Sequence, residues 1–402
     1  MIFEEALPEI RKMPLVFGGI VKLEDIVGRD KKVDDVIYTL NSTSVNINEI
    51  RRFGKTSFLR LLESRAPDNW ICVNNTVQDA RSTAELIDLT LRGILNHSKL
   101  KDRMKKTILD TWNALKNAKI KISELEISSN ITYKADPLST FRSVLNSVGK
   151  QLIEDKKIMV IIWDEFPDAI HTIMKKEGKD AAKEILMFFR ALRQSGDSQN
   201  IRWVLTGSIG LHHILRELSG NVITNDILPV SLDPLEQRYI RWMAQCLLLE
   251  INKNLEGSDY LADVSGGIPF ILAMMVKYIN DTDTHVPQSL ADAKKLFIDA
   301  ASDLNLAKGW APLLERVGIY YGRNKKSAET ILDIIASGPV DESNIKYLLR
   351  EKTGKDISDS TLETVLKLLE EDHYIKYENS SRLYTWKHEP LRIIWNVRRR
   401  KG

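Results

Sequence analysis

The stretch from residue 46 to residue 57 constrains this chain most, because few short sequences combine its residue types at this spacing. It reads Asn-Ile-Asn-Glu-Ile-Arg-Arg-Phe-Gly-Lys-Thr-Ser, follows a short strand-like run and precedes the apolar pattern of a helix. Gly54, Lys55 and Thr56 match the end of the pattern G-x-x-x-x-G-K-[ST], in which backbone N–H groups and a lysine cradle phosphates. The first glycine of that pattern is replaced by Glu49. The stretch therefore predicts a phosphate-binding loop with one departure.

The residues of this loop have separable tasks. Lys55 would neutralise the β and γ oxygens of a nucleotide, and the Thr56 hydroxyl would ligate Mg²⁺. Gly54 lets the backbone approach a phosphate closely, so we expect binding to survive the change at Glu49. The loop residues predicted to contact the nucleotide are Arg52, Phe53, Gly54, Lys55, Thr56 and Ser57.

An acidic pair closes the most apolar strand of the chain. Residues 158–163 form a continuous apolar run, as expected for a parallel strand buried on both faces, and Asp164 and Glu165 follow directly. Open α/β sheets bind ligands at the carboxyl ends of their strands. We expect Asp164 to hold Mg²⁺ through a water molecule, and Glu165 to orient the attacking water or accept its proton. Lys55 and Glu165 are therefore catalytic candidates.

Length and composition indicate a globular protein of more than one domain. The chain has 402 residues and a mass of 45.9 kDa, which predicts two or three domains. Its net charge of +3 is too small to require a nucleic-acid partner, and Cys72 and Cys246 lie in apolar contexts typical of buried thiols. The sequence has neither a signal-peptide pattern nor an apolar run of membrane length, so we expect a cytoplasmic protein.

Two further segments complete a recognisable order of motifs. Val27-Gly28-Arg29 precedes the helix and strand that lead into the loop, and Gly267-Ile268-Pro269 begins an apolar helix in an all-helical stretch. With the loop, the Asp164-Glu165 strand and a strand ending in Gly207-Ser208, the chain resembles STAND ATPases and archaeal-type AAA+ P-loop ATPases. The resemblance covers most of the sequence.

The resemblance implies roles for residues outside the loop. Val27, Gly28 and Arg29 would line the adenine pocket, whereas Gly267 and Pro269 would belong to a lid that closes over the nucleotide. It also implies ATP rather than GTP as the nucleotide.

Two catalytic positions stay open. Either Thr206 or Ser208 would sense the γ-phosphate by a hydrogen bond, and Ser208 is put forward as the catalytic candidate. The transition-state arginine would be Arg190, Arg193 or Arg202; the sequence does not choose among them, and Arg193 is put forward.

The C-terminal stretch predicts a separate winged helix. Helical patterns at Glu329–Ala336, Asp341–Leu349 and Ser358–Asp372 precede strand patterns at Tyr374–Tyr377 and Arg382–Trp386. The third helix carries five acids and one base, which disfavours its entry into a DNA groove. We therefore interpret the module as one for protein interaction or autoregulation. The basic residues 398–401 are interpreted as a solvated end or a nonspecific phosphate contact.

These elements predict an α/β fold. It consists of a P-loop NTPase sheet of the AAA+ or STAND type, parallel and with helices on both faces, a helical lid and a C-terminal winged helix. The predicted domains are residues 1–231, with an insertion at about 97–135, residues 232–306 and residues 307–402. The insertion is predicted as a basic amphipathic stretch followed by a β-hairpin.

The leading functional hypothesis is a Mg²⁺-dependent, ATP-hydrolysing switch that controls assembly with itself or with a partner protein. Among the relatives that it resembles, such switches occur in prokaryotic defence and mobile-element systems. One alternative is a DNA-binding AAA+ ATPase, similar to origin-recognition loaders or transposition regulators, that uses the winged helix on DNA. Another is a scaffold that binds a nucleotide without hydrolysing it.

Overall fold

Five parallel strands form the central sheet of the computed structural model, which describes residues 7–114, 136–207, 210–218 and 225–401. They run in the order β2-β3-β4-β1-β5, and each neighbouring pair is parallel. Consecutive residues of the central strands are buried, so the sheet is covered on both faces. The predicted α/β P-loop NTPase sheet is confirmed. The strands are β1 (Ser44–Asn48), β2 (Trp70–Thr76), β3 (Ile158–Asp164), β4 (Ile201–Gly207) and β5 (Ile227–Val230).

Helices connect these strands, as parallel pairing requires. They are α1 (Asp30–Leu40), α2 (Lys55–Arg65), α3 (Thr83–Asn96), α4 (Asp102–Ala114), α5 (Pro137–Glu154), α6 (Phe166–Glu177), α7 (Lys179–Arg193) and α8 (Leu211–Glu217). The all-helical stretch predicted after residue 232 is also present. It comprises α9 (Gln237–Glu250), α10 (Ser258–Ser265), α11 (Pro269–Thr282), α12 (Leu290–Ser302) and α13 (Leu304–Tyr320).

Strand β5 is an element that the sequence patterns do not predict. It has four residues, pairs with β1 at the edge of the sheet and contains Pro229. A proline cannot donate a ladder hydrogen bond, so it is tolerated at an edge and weakens any strand pattern in the sequence.

Helix α4 lies within the stretch predicted as an insertion. Its Met104 and Ile108 are buried in the same apolar cluster as α5 and β3. On its exposed side, Arg103 forms an ion pair of 2.9 Å with Glu154. Arg103 and Lys106 therefore lie on the solvated face of a helix whose other face is core. The predicted β-hairpin falls on residues 115–135, outside the described residues.

The C-terminal elements predicted for the winged helix are present. Helices α14 (Lys325–Ser337), α15 (Glu342–Thr353) and α16 (Asp359–Glu371) precede the antiparallel pair β6 (Ile375–Glu378) and β7 (Leu383–Trp386). The basic end lies in a further helix, α17 (Glu389–Lys401), where Arg399 Nε donates to Asp333 Oδ1 at 2.7 Å. The winged-helix classification itself stays a prediction.

The chain separates into two compact units. The first comprises Met1–Lys31, Glu49–Leu61 and Leu232–Gly402, and the second comprises Lys32–Asn48 and Leu62–Ser231. The phosphate loop thus groups with the helices that follow residue 231, although it is adjacent in sequence to the sheet. The predicted division into three domains stays a prediction. No helix of the described residues is long and apolar enough to cross a membrane.

Candidate nucleotide-binding site

The phosphate loop, residues 49–54, leads from β1 to the first turn of α2. Arg52 has a φ of +74°, and Gly54 has a φ of +87° with open space where a Cβ would stand. Left-handed residues in such a turn direct successive N–H groups into one concavity that binds anions. Helix α2 begins at Lys55, so the loop also lies at a helix N-terminus. The local backbone fits a phosphate group.

Lys55 lies across the mouth of this loop. Its Nζ donates to the carbonyl oxygens of Glu49 at 2.6 Å and Ile50 at 3.2 Å, and the side chain is buried. A phosphate oxygen would be a stronger acceptor than these carbonyls, because both partners would then be ionised. Thr56 is exposed and Ser57 is half-buried in the first turn of α2, so both remain accessible to solvent.

Glu49 replaces the first glycine of the loop and is held by local hydrogen bonding and charge. The residue is 1% exposed, and its Oε1 accepts the N–H of Ile50 at 3.1 Å. The guanidinium of Arg29 donates to the Asp233 carbonyl at 2.7 Å. Burial lowers the pKa of Arg29, while the negative charges of Asp233 and Glu49 raise it. The charge of Arg29 therefore offsets that of Glu49, and its hydrogen bond joins the Val27-Gly28-Arg29 segment to the segment before α9.

The rest of the predicted adenine segment packs against α9. Gly28 has a φ of +69°, and a Cβ there would lie 2.6 Å from the Tyr239 ring. Val27 is buried. The structure thus brings Val27-Gly28-Arg29 and the phosphate loop into one unit, whereas the adenine contact itself stays a prediction.

A pair of left-handed glycines forms the turn before α11. Gly266 and Gly267 have φ values of +60° and +74°, and the Leu235 N–H donates to the Gly267 carbonyl at 2.8 Å. A Cβ at Gly267 would lie 2.4 Å from the Leu235 carbonyl oxygen, so glycine is required there. Pro269 is the first residue of α11, which confirms the predicted helix start. Closure of this turn over a nucleotide stays a prediction.

His388 contacts the phosphate loop, and the sequence patterns do not predict this. The ring centroids of His388 and Phe53 are 4.9 Å apart. His388 is 8% exposed, and its Nε2 has no hydrogen-bond partner within the described part of the chain. Burial, followed by the charges of Lys387 and His373, lowers the pKa of His388 to about 4, so its ring is neutral near pH 7. A histidine directly before the start of a helix was the only visible cue.

The start of α17 also contacts the turn before α11. A Cβ at Gly266 would lie 2.8 Å from Cγ of Pro390. The segment His388–Pro390, at the start of α17, therefore contacts both the phosphate loop and the turn before α11.

In the second unit, the acidic pair lies at the carboxyl end of β3. The parallel register places this end beside the last residues of β4. Asp164 Oδ1 accepts a hydrogen bond from the Thr206 hydroxyl and another, at 3.1 Å, from the Glu165 N–H. Glu165 has a φ of +57° directly before α6. The structure thus pairs Thr206 with Asp164, while Ser208 lies outside the described residues and its role stays a prediction.

The arginine put forward for catalysis is engaged elsewhere in the second unit. The Arg193 side chain is 3% exposed and donates to both oxygens of Asp226, at 2.8 and 2.7 Å. Its guanidinium also lies 4.4 Å from the Phe189 ring centroid. Arg202 donates to the Asn41 carbonyl at 2.9 Å, and Arg190 is half-buried. These contacts favour a structural role for Arg193, and the choice of arginine stays open.

The sheet order, the loop after β1 and the acidic pair after β3 together define an AAA+-type P-loop ATPase fold. The chain is similar to the Walker-type ATPase of Pyrococcus abyssi, with a TM-score of 0.61, 20% identity and coverage of 98% of this chain and 99% of that one. It is also similar to the ORC2 protein of Aeropyrum pernix, with a TM-score of 0.50, 12% identity and coverage of 94% and 95%. No family model and no curated protein matches the chain. The fold is that of archaeal-type AAA+ P-loop ATPases.

Proposed function

We propose that this protein is a Mg²⁺-dependent ATPase that acts as a molecular switch, in which the occupant of the phosphate loop controls the position of the C-terminal helices. The contact between Phe53 and His388 carries this proposal, because a change in the loop would act directly on the segment that begins α17. Such movement would control assembly with a partner protein or a second copy.

The nucleotide chemistry rests on the residues of the two motifs. The loop N–H groups and Lys55 would bind the phosphates, and Glu165 would orient the attacking water or accept its proton. Bound Mg²⁺ would neutralise phosphate charge, with Thr56 as a direct ligand and Asp164 acting through water. No group of three His, Cys, Asp or Glu side chains within the described ranges is arranged to hold a metal ion. A nucleotide-bound Mg²⁺ needs fewer, because phosphates and waters supply most of its ligands.

The choice of ATP draws support from a neighbour. The Aeropyrum pernix ORC2 protein was solved as ADPNP–ADP complexes, and those are adenine nucleotides. The resemblance to STAND and archaeal-type ATPases points the same way.

Nucleotide binding and hydrolysis are tested separately with two variants. Lys55→Ala is expected to weaken ATP and ADP binding at least tenfold, roughly the loss of one charge-assisted contact. Glu165→Gln is expected to keep ATP affinity and lose turnover, because only the reacting water loses its partner. Calorimetric titration and phosphate release measure the two effects. Unchanged affinity in Lys55→Ala would refute the loop assignment, and wild-type binding without turnover would favour the scaffold alternative.

Contact with DNA is the second candidate, favoured by the similarity to ORC2. The charge of α16 opposes it. Of the acids counted from the sequence, Asp372 is buried and accepts a hydrogen bond from Tyr321 at 2.8 Å, so it does not contribute to the surface. The remaining residues, Asp359, Glu363, Glu370 and Glu371 against Lys367, still leave this helix acidic. Sub-micromolar binding of duplex DNA at physiological salt, with a steep salt dependence, would favour DNA over a protein partner.

A further inference from the structure

The N-terminal strap, which we define as residues 7–22, has neither a helix nor a strand, yet side chains of the first unit hold it at several points. Trp242 Nε1 donates to the Pro8 carbonyl at 2.8 Å. Lys12 Nζ donates to Asn252 at 2.9 Å, and Met13 is buried. An irregular segment loses conformational entropy when it is ordered, so these contacts must offset that loss. The strap is therefore an ordered part of the first unit, packed on helices that follow residue 231.

The far end of the strap is held by the phosphate loop through Arg52. The Arg52 guanidinium donates to the Gly18 carbonyl at 3.0 Å and lies 5.1 Å from the ring centroid of Phe270. Phe270 is the second residue of α11, directly after Pro269. On the strap side, Phe17 stacks on Phe270 with centroids 4.8 Å apart. Arg52 thus joins the loop, the strap and the first turn of α11.

The backbone of Arg52 is left-handed, so the contacts of its side chain bear on the conformation of the loop. A φ of +74° is unfavourable for a residue with a side chain, and it persists where surrounding contacts enforce it. The same left-handed conformation turns the loop N–H groups toward an anion. The loop conformation that binds phosphate is therefore held in part by a side chain that points to the strap.

We propose that Arg52 is a positioning residue. Its side chain contacts the strap at Phe17-Gly18 and α11 at Phe270, and these contacts hold the phosphate loop in its anion-binding conformation. The strap thereby sets nucleotide affinity and senses whether the loop is occupied. This inference rests on the proposed nucleotide binding by the loop. It differs from a role of Arg52 as a phosphate ligand, because Phe17 and Gly18 matter only if the side chain acts through the strap.

The test compares ADP affinity, measured with a fluorescent ADP analogue, in the full-length wild type, Arg52→Ala, Phe17→Ala and the double variant. Each single substitution is expected to weaken binding about tenfold, and the double variant is expected to bind no more weakly than Arg52→Ala. Lys12→Ala is the matched control, since it removes a strap contact that is remote from the loop. If Arg52→Ala weakens binding while Phe17→Ala does not, Arg52 is a direct ligand and the proposal is overturned. Failure of the wild type to bind ADP would instead refute the proposed function.

Two further measurements keep the test independent of folding. Arg52→Gly removes the side-chain contacts but allows the left-handed backbone without strain. Its ADP affinity is therefore expected to lie between those of wild type and Arg52→Ala. Equal affinities for the Gly and Ala variants would contradict the proposal. ADP is also expected to slow tryptic cleavage after Arg11 in the wild type and not in Arg52→Gly, which a structural role of Arg52 alone would not produce. If Phe17→Ala does not fold, Phe17→Leu removes the ring stacking while keeping an apolar side chain.

Discussion

Two residues at the phosphate loop, Glu49 and Lys55, carry opposite charges. Lys55 contributes the positive charge that a phosphate requires, whereas Glu49 places a carboxylate where phosphate loops have glycine. The structure shows how this is tolerated: the carboxylate accepts the Ile50 N–H, and Arg29 supplies a compensating charge. We therefore predict that Glu49 affects nucleotide affinity without abolishing the role of the loop.

Glu49→Gln is expected to tighten ADP binding about threefold. The amide keeps an acceptor for the Ile50 N–H, while removal of the negative charge lessens repulsion of the phosphates. Calorimetric titration of both proteins measures the change. Glu256→Gln, which neutralises an exposed carboxylate of the same unit, is the control and is expected to have no effect. Weaker binding by Glu49→Gln would mean that the carboxylate supports the loop more than it repels phosphate.

Thr206→Val is expected to lower kcat for ATP at least tenfold with little change in KM. The hydroxyl donates to Asp164 Oδ1, and loss of a partner that orients a metal-associated carboxylate typically has effects of about this size. Steady-state phosphate release at several Mg²⁺ concentrations measures it. Thr140→Val removes another buried hydroxyl of the same unit, one that donates to the Asp136 carbonyl, and should leave kcat unchanged. Equal effects of the two variants would argue for general destabilisation.

At the scale of elements, the turn before α11 determines where that helix begins. Helix α11 begins at Pro269 because the preceding glycines adopt left-handed conformations that bring the chain against Leu235. That turn also contacts Pro390, so the start of one helix determines the approach of another, α17. The acidic pair is placed by the elements on either side of it, because β3 ends at Asp164 and α6 begins directly after Glu165.

Gly267→Ala is expected to destabilise the first unit by about 3 kcal/mol, because the new Cβ combines left-handed strain with a close approach to the Leu235 carbonyl. Gly354→Ala is the matched control: Gly354 has a φ of +66° and nothing within 4 Å of its Cβ, so it isolates the strain, at about 1 kcal/mol. Urea unfolding followed by circular dichroism compares the two. A similar loss in both variants would show that the turn before α11 relaxes around the methyl group.

At the scale of the whole molecule, residues distant in sequence assemble each unit. The first unit draws on three separate stretches of chain, so the phosphate loop, the segment before α1 and the C-terminal helices share one body. His388 brings the C-terminal helices into contact with the loop. Its low pKa means that docking of this segment requires a neutral ring.

Acid is therefore expected to destabilise this docking. The pKa of His388 is about 4, below its ordinary value of 6.5, because burial and the charges of Lys387, His373 and Lys376 outweigh that of Asp233. The contribution of His388 to the free energy of unfolding is fully present above pH 6.5. It falls as the pH decreases towards 4, because this histidine takes up a proton in the unfolded chain before it does so in the folded one. Between pH 7.5 and pH 5 the loss is about 2 kcal/mol.

Thermal unfolding of wild type and His388→Gln at these two pH values measures this contribution. The wild type should lose more stability than the glutamine variant, whose side chain does not titrate. Parallel losses in both proteins would assign the acid sensitivity to other groups.

The sequence by itself determined the phosphate loop, the acidic strand end and the start of α11. These features depend on local chemistry: glycine and proline restrict the backbone where they stand, and an apolar run identifies a buried strand without reference to its neighbours. The order of the motifs was enough to predict the α/β P-loop fold. Strand β5 was not predicted, because its four residues contain a proline and have no strong strand pattern of their own.

Only the tertiary structure decided which residues meet. Phe53 meets His388, Arg52 meets Gly18 and Phe270, and Thr206 meets Asp164. Each contact joins positions that are remote in the chain, and neither periodicity nor spacing records such a pairing. The physical reason is that a side chain's partner is fixed by how whole elements pack, whereas its own segment fixes only its backbone and its face.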